Sequence, residues 1–193
     1  MKEVYKQRTM TKIKFGTDGW RAIIADDFTV ENVARVTEGT AIWLKKNFEK
    51  PSVVVGHDCR FAGELFAETV AKVMLQHGIP VHLAKGFVST PMISLGAKNY
   101  NASLGIIITA SHNPPSYNGY KLKGFYGGPL LPDKIEEIEL LIPDQIDGGF
   151  RNVDITSFEE NGMLQWAPLE DDYCAHVENS FDLDAIRNSN LEL

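Results

Sequence analysis

The sequence predicts a three-layer α/β/α fold built on a mixed sheet that is mainly parallel. Three observations carry this. Short β-branched runs alternate with helix-period segments between Ser52 and Thr109, the pattern of strands joined by crossover helices. Gly78, Pro80 and Pro91 punctuate those segments where one element must stop and the next begin. A chain of 193 residues, 44% hydrophobic and 23% charged, suits one good-sized domain.

The elements follow in order. Residues 1–11 are polar and predict a flexible terminus. Ile13 to Ile24 holds a Gly-rich turn between strand-like residues. Thr29 caps a helix reaching about Phe48, with Val33, Val36, Thr40, Leu44 and Phe48 as its buried stripe. Ser52 to Val55 is a short strand. Leu65, Phe66, Thr69, Val70, Val73 and Met74 mark a second helix. Val81 to Ala84 is a third strand, and Ser89-Thr90-Pro91 opens a third helix. Leu104 to Thr109 is the fourth strand. Strand pieces surround Gly127-Gly128, and Pro132 to Leu141 is a short acidic helix. Asp144 to Leu169 reads as irregular, and a last helix runs from Asp171 to about Ser180. Residues 12–150 are thus taken as the α/β/α domain, and 151–193 as a connecting segment and helix.

Composition excludes several classes. A formal charge of −7, with no run of Lys or Arg, argues against nucleic acid as a partner. No uninterrupted apolar run spans a bilayer, and the polar N-terminus lacks an apolar signal core, so no membrane partner is expected. Two isolated cysteines, Cys59 and Cys174, suit free thiols in a reducing cytoplasm. Trp20, Trp43 and Trp166 read as packing residues, Cys59 as a small packed thiol, and Glu136, Glu137 and Glu139 as a solvated helix face. His57 receives no role.

The chemistry concentrates where the fourth strand ends. Ile106-Ile107-Ile108 stops at Thr109-Ala110-Ser111-His112-Asn113, and Pro114-Pro115 stiffen the exit. Ligands of parallel sheets gather at the carboxyl ends of strands, so Ser111 is presented on that edge, as is Gly56-His57-Asp58. A Ser-His hydrolase is poorly supported, because the Gly-x-Ser-x-Gly elbow is absent.

The run Thr109-Ala110-Ser111-His112-Asn113-Pro114-Pro115, continued by Tyr117-Asn118-Gly119-Tyr120-Lys121, resembles the phosphoserine loop of the α-D-phosphohexomutases, the phosphoglucomutase and phosphomannomutase family. Phe15-Gly16-Thr17-Asp18-Gly19-Trp20-Arg21-Ala22 is similar to that family's N-terminal signature, and Val55-Gly56-His57-Asp58-Cys59-Arg60 to a third segment. The resemblance implies a phosphoryl group carried on Ser111, with Ser111, Lys121, His112 and Arg21 as catalytic candidates. It implies substrate contacts from Thr17, Asn113 and Arg60; Asp58 and Arg60 also read as loop-ordering or as a structural ion pair. It further implies Mg²⁺ bound through the phosphoryl group of Ser111, and a hexose 1,6-bisphosphate as activator and intermediate.

The implied reaction interconverts hexose 1-phosphate and hexose 6-phosphate. The family's metal-binding Asp-x-Asp-Gly-Asp-Arg run, its Gly-Glu-x-Ser-Gly-His sugar-reading loop and its distal phosphate loop are absent from this sequence. The resemblance therefore covers a first domain, whose partners are the remaining domains of a parent chain. Asp182 to Leu193 reads as the approach to a second domain, with a strand starting at Leu191-Glu192-Leu193. Such a domain alone is expected to be inactive. A phosphoglucosamine mutase domain, a serine phosphatase and a non-catalytic sugar-phosphate-binding module are the alternative readings.

Overall fold

The computed structural model describes residues 12–189. The terminus at 1–11 and the strand start at Leu191-Glu192-Leu193 lie outside the described residues. In chain order the elements are β1 (Trp20–Ile23), α1 (Val30–Asn47), β2 (Val53–His57), α2 (Gly63–Gln76), β3 (Val81–Phe87), α3 (Thr90–Asn99), β4 (Leu104–Ile108), β5 (Tyr117–Gly124), α4 (Pro132–Glu139), α5 (Ile155–Glu160), β6 (Leu164–Ala167), α6 (Leu169–Ser180) and α7 (Leu183–Asn188). Thr29 caps α1 as its residue type predicts: its backbone is extended and its hydroxyl accepts from the Asn32 N–H at 3.2 Å.

The described residues form one six-stranded sheet in the order β1-β5-β4-β2-β3-β6. β4, β2, β3 and β6 pair in parallel, while β5 runs antiparallel to both β4 and β1. The sheet is therefore mixed and mainly parallel. Side chains alternate across it with the strand period of two. Val53, Val55, Ile106 and Ile108 meet Val36, Leu44, Phe66 and Val70 of α1 and α2. Val54 and Ile107 turn to the opposite face and meet Ile93 of α3 and Leu169 of α6. Each such aliphatic side chain, fully removed from water, contributes about 1.5–3 kcal/mol. Gly96 lets α6 reach α3: a Cβ there would stand 2.8 Å from Leu169 Cδ2.

The strand order sets the site. From β2 the chain crosses through α2 to β3 on one side, then through α3 to β4 on the other side. The carboxyl ends of β2 and β4 thus flank the switch point, where open α/β sheets leave a crevice.

Several readings of single segments are corrected. Asp144 to Leu169 is not irregular throughout; it contains a 3₁₀ turn (Gly148–Asn152), α5 and the edge strand β6. β6 is only four residues long, too short for a visible period, and its hydrogen bonding is completed by β3. Residues 183–188, given no element by the sequence, form a short helix. Leu65 is exposed, because it sits on the solvent side of α2. Trp166 is 40% exposed at the sheet edge, whereas Trp20 and Trp43 are buried. Cys59 is exposed. Glu137 and Glu139 are tethers: Trp43 Nε1–H donates to Glu137 at 2.7 Å, and the Phe15 N–H donates to Glu139. Among the described residues no helix is long and apolar enough to cross a membrane.

Candidate active site

β4 delivers Ser111 to the switch point with its side chain exposed. Its φ of 55° is left-handed, a conformation rare outside glycine and costly for a side chain. The surroundings hold it there. Thr109 Oγ1 accepts from the Ser111 N–H at 3.0 Å and donates its own proton to Asp58 Oδ2. Asp58, at the end of β2, also accepts from the Arg60 N–H at 2.9 Å. Arg60 then closes the loop. Its Nη1 donates to the carbonyls of Pro114 (2.9 Å) and Tyr117 (3.0 Å), and its Nη2 to those of Ser111 and Asn113 (2.7 Å each).

Arg60 Nε faces Asp58 Oδ2 at 3.5 Å. Both terminal guanidinium nitrogens are therefore engaged by loop carbonyls, while the buried Nε makes no hydrogen bond of its own, which is a loop-ordering geometry. Asn113 is likewise engaged, since its Oδ1 accepts from Arg21 Nη1 at 2.9 Å. The His112 ring lies beside Ser111, but Nδ1 is 3.5 Å from Oγ, at the outer limit of a hydrogen bond.

β5 and β1 bring the cations. Their antiparallel register sets Arg21 opposite Gly119 and Trp20 opposite Tyr120. Gly119 is required here: a Cβ would stand 2.5 Å from the Thr109 carbonyl. Lys121 and Lys123 are buried and share one carboxylate, with Lys121 Nζ 2.7 Å from Asp18 Oδ2 and Lys123 Nζ 3.2 Å from Oδ1. Burial raises the Asp18 pKa, but the hydrogen bonds from Lys121 and Lys123 outweigh it and hold the carboxyl below its ordinary value. Gly19, at φ +98°, lets this loop lie against β5; a Cβ there would stand 2.7 Å from Lys121 Cγ. Thr17 is exposed and, with Lys14, Gly16, Asp18, Gly19 and Arg21, lines an open hollow of about 380 Å³.

The sequence reading gave no separate role to Asp18, Thr109 or Lys123. The signal for Lys123 was available, because two lysines two apart on a strand share a face. The signal for Thr109 was not, because its partner comes from β2.

The model of phosphoglucomutase/phosphomannomutase α/β/α domain I matches residues 12–146. The chain belongs to this family. Phosphoglucomutases of Staphylococcus saprophyticus and Staphylococcus aureus are 34% and 33% identical to the domain, over 82% and 88% of this chain. The alignments cover 29% and 31% of those proteins, so the chain spans about three tenths of the curated relatives it matches. A solved structure from Thermus thermophilus, provisionally named a phosphomannomutase, superposes with a TM-score of 0.78 at 32% identity, over 92% of this chain and 38% of that one. The Paramecium phosphoglucomutase parafusin, in its open form, has a TM-score of 0.75 over 96% of this chain and 39% of that one. At 19% identity it supports the fold alone.

The described residues of this phosphohexomutase domain supply too few grouped donors to hold a magnesium ion by themselves. Among the described residues no group of three or more His, Cys, Asp or Glu side chains is placed to hold a metal ion. Asp58, the carboxylate that holds the serine loop, has its oxygens engaged by Thr109 and Arg60. Mg²⁺ demands near-octahedral oxygen ligation and gives up water reluctantly.

Proposed function

We propose that this chain is the phosphoserine-bearing domain of a mutase that interconverts hexose 1-phosphate and hexose 6-phosphate. One observation carries the reading: an exposed serine hydroxyl is held in a left-handed backbone conformation on a loop clamped by Arg60, Asp58 and Thr109. A serine needed only for solubility or turn formation would not attract such support.

In the proposed reaction the Ser111 O–P bond breaks and a P–O bond forms to the free hydroxyl of a hexose monophosphate. The sugar hydroxyl gives its proton to a base, and Ser111 Oγ leaves as the alkoxide or takes up a proton. The bisphosphate then reorients and returns its other phosphoryl group to Ser111, with the proton movements reversed. Lys121 and Arg21 supply positive charge for the phosphoryl oxygens, and Lys121 or His112 exchanges the proton. Thr17 and the hollow beside it offer room for substrate. Arg60 and Asn113 act by holding the loop and Arg21.

The divalent cation implied by the family resemblance would take from this chain only an oxygen on phosphorylated Ser111; its other ligands would come from remaining domains. Those domains are the proposed partners, together with the hexose phosphate. Glucose and mannose phosphates lead as substrates, in line with the names of the relatives. The unpaired, exposed Cys59 and Cys174 support a reducing cytoplasm as the setting.

The test is a coupled assay for glucose 6-phosphate from glucose 1-phosphate, with Mg²⁺ and a trace of glucose 1,6-bisphosphate. The polypeptide carrying this domain with its remaining domains should turn over and should show one phosphoryl group on Ser111 by mass analysis. The 193-residue chain alone should be nearly inactive. Release of inorganic phosphate without sugar exchange would replace the mutase by a serine phosphatase. Turnover by the chain alone near about 10 s⁻¹ would overturn the division of labour between domains.

A further inference from the structure

Lys121 and Lys123 form an unbalanced charge group with Asp18. Both lysines lie on one face of β5, two residues apart, and both are at least 95% buried. Among the described residues Asp18 is the acceptor each ammonium reaches, Oδ2 for Lys121 and Oδ1 for Lys123. Two cations and one carboxylate leave a surplus of one positive charge. Uncompensated charge is expensive in a site shielded from water. Each ammonium has three donors, so Lys121 keeps donors beyond the one aimed at Asp18.

The geometry makes the two lysines rivals for one partner. The other surroundings do not settle the rivalry. β4 sets Ile107 opposite Lys121 and Gly105 opposite Lys123, neither charged. α3 brings Ile93 against Gly105 and the stem of Lys98 against Gly127. The segment before and within β1 adds Lys14 and Arg21, both cationic, around Asp18. Asp18 is thus the acidic member of the group, and its half-exposed carboxylate faces the hollow.

We infer that Lys123 is a positioning residue: by holding Asp18 Oδ1 it keeps Asp18 from pairing wholly with Lys121, and so leaves Lys121 available to an anion entering the hollow that Asp18 lines. The inference rests on the proposed function only for the identity of that anion, a phosphoryl group. Without Lys123, both carboxylate oxygens are free to turn to Lys121. The surplus charge disappears, and Lys121 is neutralised by its own neighbour. Removing Asp18 as well returns the group to a single surplus charge.

The 193-residue chain tests this directly. With lysine ε-carbons labelled and Lys121 assigned through Lys121→Met, NMR titration follows the ammonium in Lys123→Met, Asp18→Asn, the double variant and Lys123→Arg. Losing a like charge and gaining all of Asp18 should raise the Lys121 midpoint by about one pH unit in Lys123→Met. Asp18→Asn should lower it by a similar amount. The double variant and Lys123→Arg should stay near the parent. Inorganic phosphate, followed by ³¹P NMR, should bind about tenfold more weakly to Lys123→Met and more tightly to Asp18→Asn.

A purely structural Lys123 would not move the Lys121 midpoint in opposite directions in the two single variants. An unmoved midpoint, or the same direction in both, overturns the inference. Should Lys123→Met fail to fold, Asp18→Asn alone decides, since an unchanged or raised Lys121 midpoint there is equally fatal. Opposite midpoint shifts with no change in phosphate binding would uphold the charge sharing, overturn its role in presenting Lys121 to an anion, and count against Lys121 as a phosphate ligand in the proposed function.

Discussion

Two loops meet at the candidate site, where Arg21 Nη1 donates to Asn113 Oδ1, and they are held by different physics. The Ser111 loop is fixed through its backbone. Arg60 donates to four of its carbonyls, and Thr109 receives the Ser111 N–H. The Gly16–Gly19 loop is fixed through side-chain charge and close approach, with Asp18 between two buried lysines and Gly19 against β5. Backbone fixation sets the position of one atom, the serine oxygen. Charge fixation sets how much positive potential surrounds Asp18 and the hollow it lines. A phosphoryl transfer needs both: alignment of the reacting atoms and stabilisation of spreading negative charge.

The comparison breaks most sharply at Ser111. In the polypeptide carrying the full set of domains, Ser111→Ala should abolish phosphoryl acceptance from glucose 1,6-bisphosphate and leave circular dichroism unchanged. Normal mutase turnover by that variant would remove the premise that this loop is the reacting one.

Arg60→Leu tests backbone fixation with the hydroxyl still present. Four carbonyls lose their donor, Ser111 is no longer held in its left-handed state, and kcat/KM should fall on the order of 10²-fold, the cost of misplacing a reacting group by about 1 Å. Steady-state kinetics at matched folding, checked by Tm, measures it. Unchanged kinetics would mean that the prolines and Thr109 suffice.

Lys121→Gln and Arg21→Gln test the charge side. Each should lower kcat/KM about tenfold, or about 1.4 kcal/mol of transition-state stabilisation. If both variants keep parental kinetics, these side chains are ordinary cations and the second loop has no catalytic part.

The smallest expected effect is in acid stability. Asp18 is held below its ordinary pKa of 3.8 in the folded chain. Its contribution is therefore present above the unfolded value and lost as pH falls through the folded one. Urea denaturation of the parent and Asp18→Asn should differ more at neutral pH than at the acid end of that window. A difference independent of pH would show that the carboxylate charge is not what holds the Gly16–Gly19 loop.

Much of the molecule was legible in the chain. Alternating segments gave β2, α2, β3, α3 and β4 because each carries its own period of apolar residues, and Thr29 marked the start of α1 because a cap is a local interaction. β6 was not legible, since four residues with two exposed side chains have no period of their own. Glu137 looked solvated because the residue it satisfies, Trp43, lies 94 positions away.

The sequence by itself determined the layer type, the edge on which Ser111 stands and the family to which the chain belongs. These follow from local periodicity and from the identity of short runs. Only the tertiary structure decided what each polar side chain does. It brought Arg60, read from the sequence both as loop-ordering and as a substrate contact, onto the carbonyls of the serine loop, because β2 and β4 are neighbours across the switch point. It placed Asp18 between Lys121 and Lys123 because β1 pairs with β5. Hydrogen bonds and charges act over a few ångströms, and which residues come that close is fixed by strand order, not by distance along the chain.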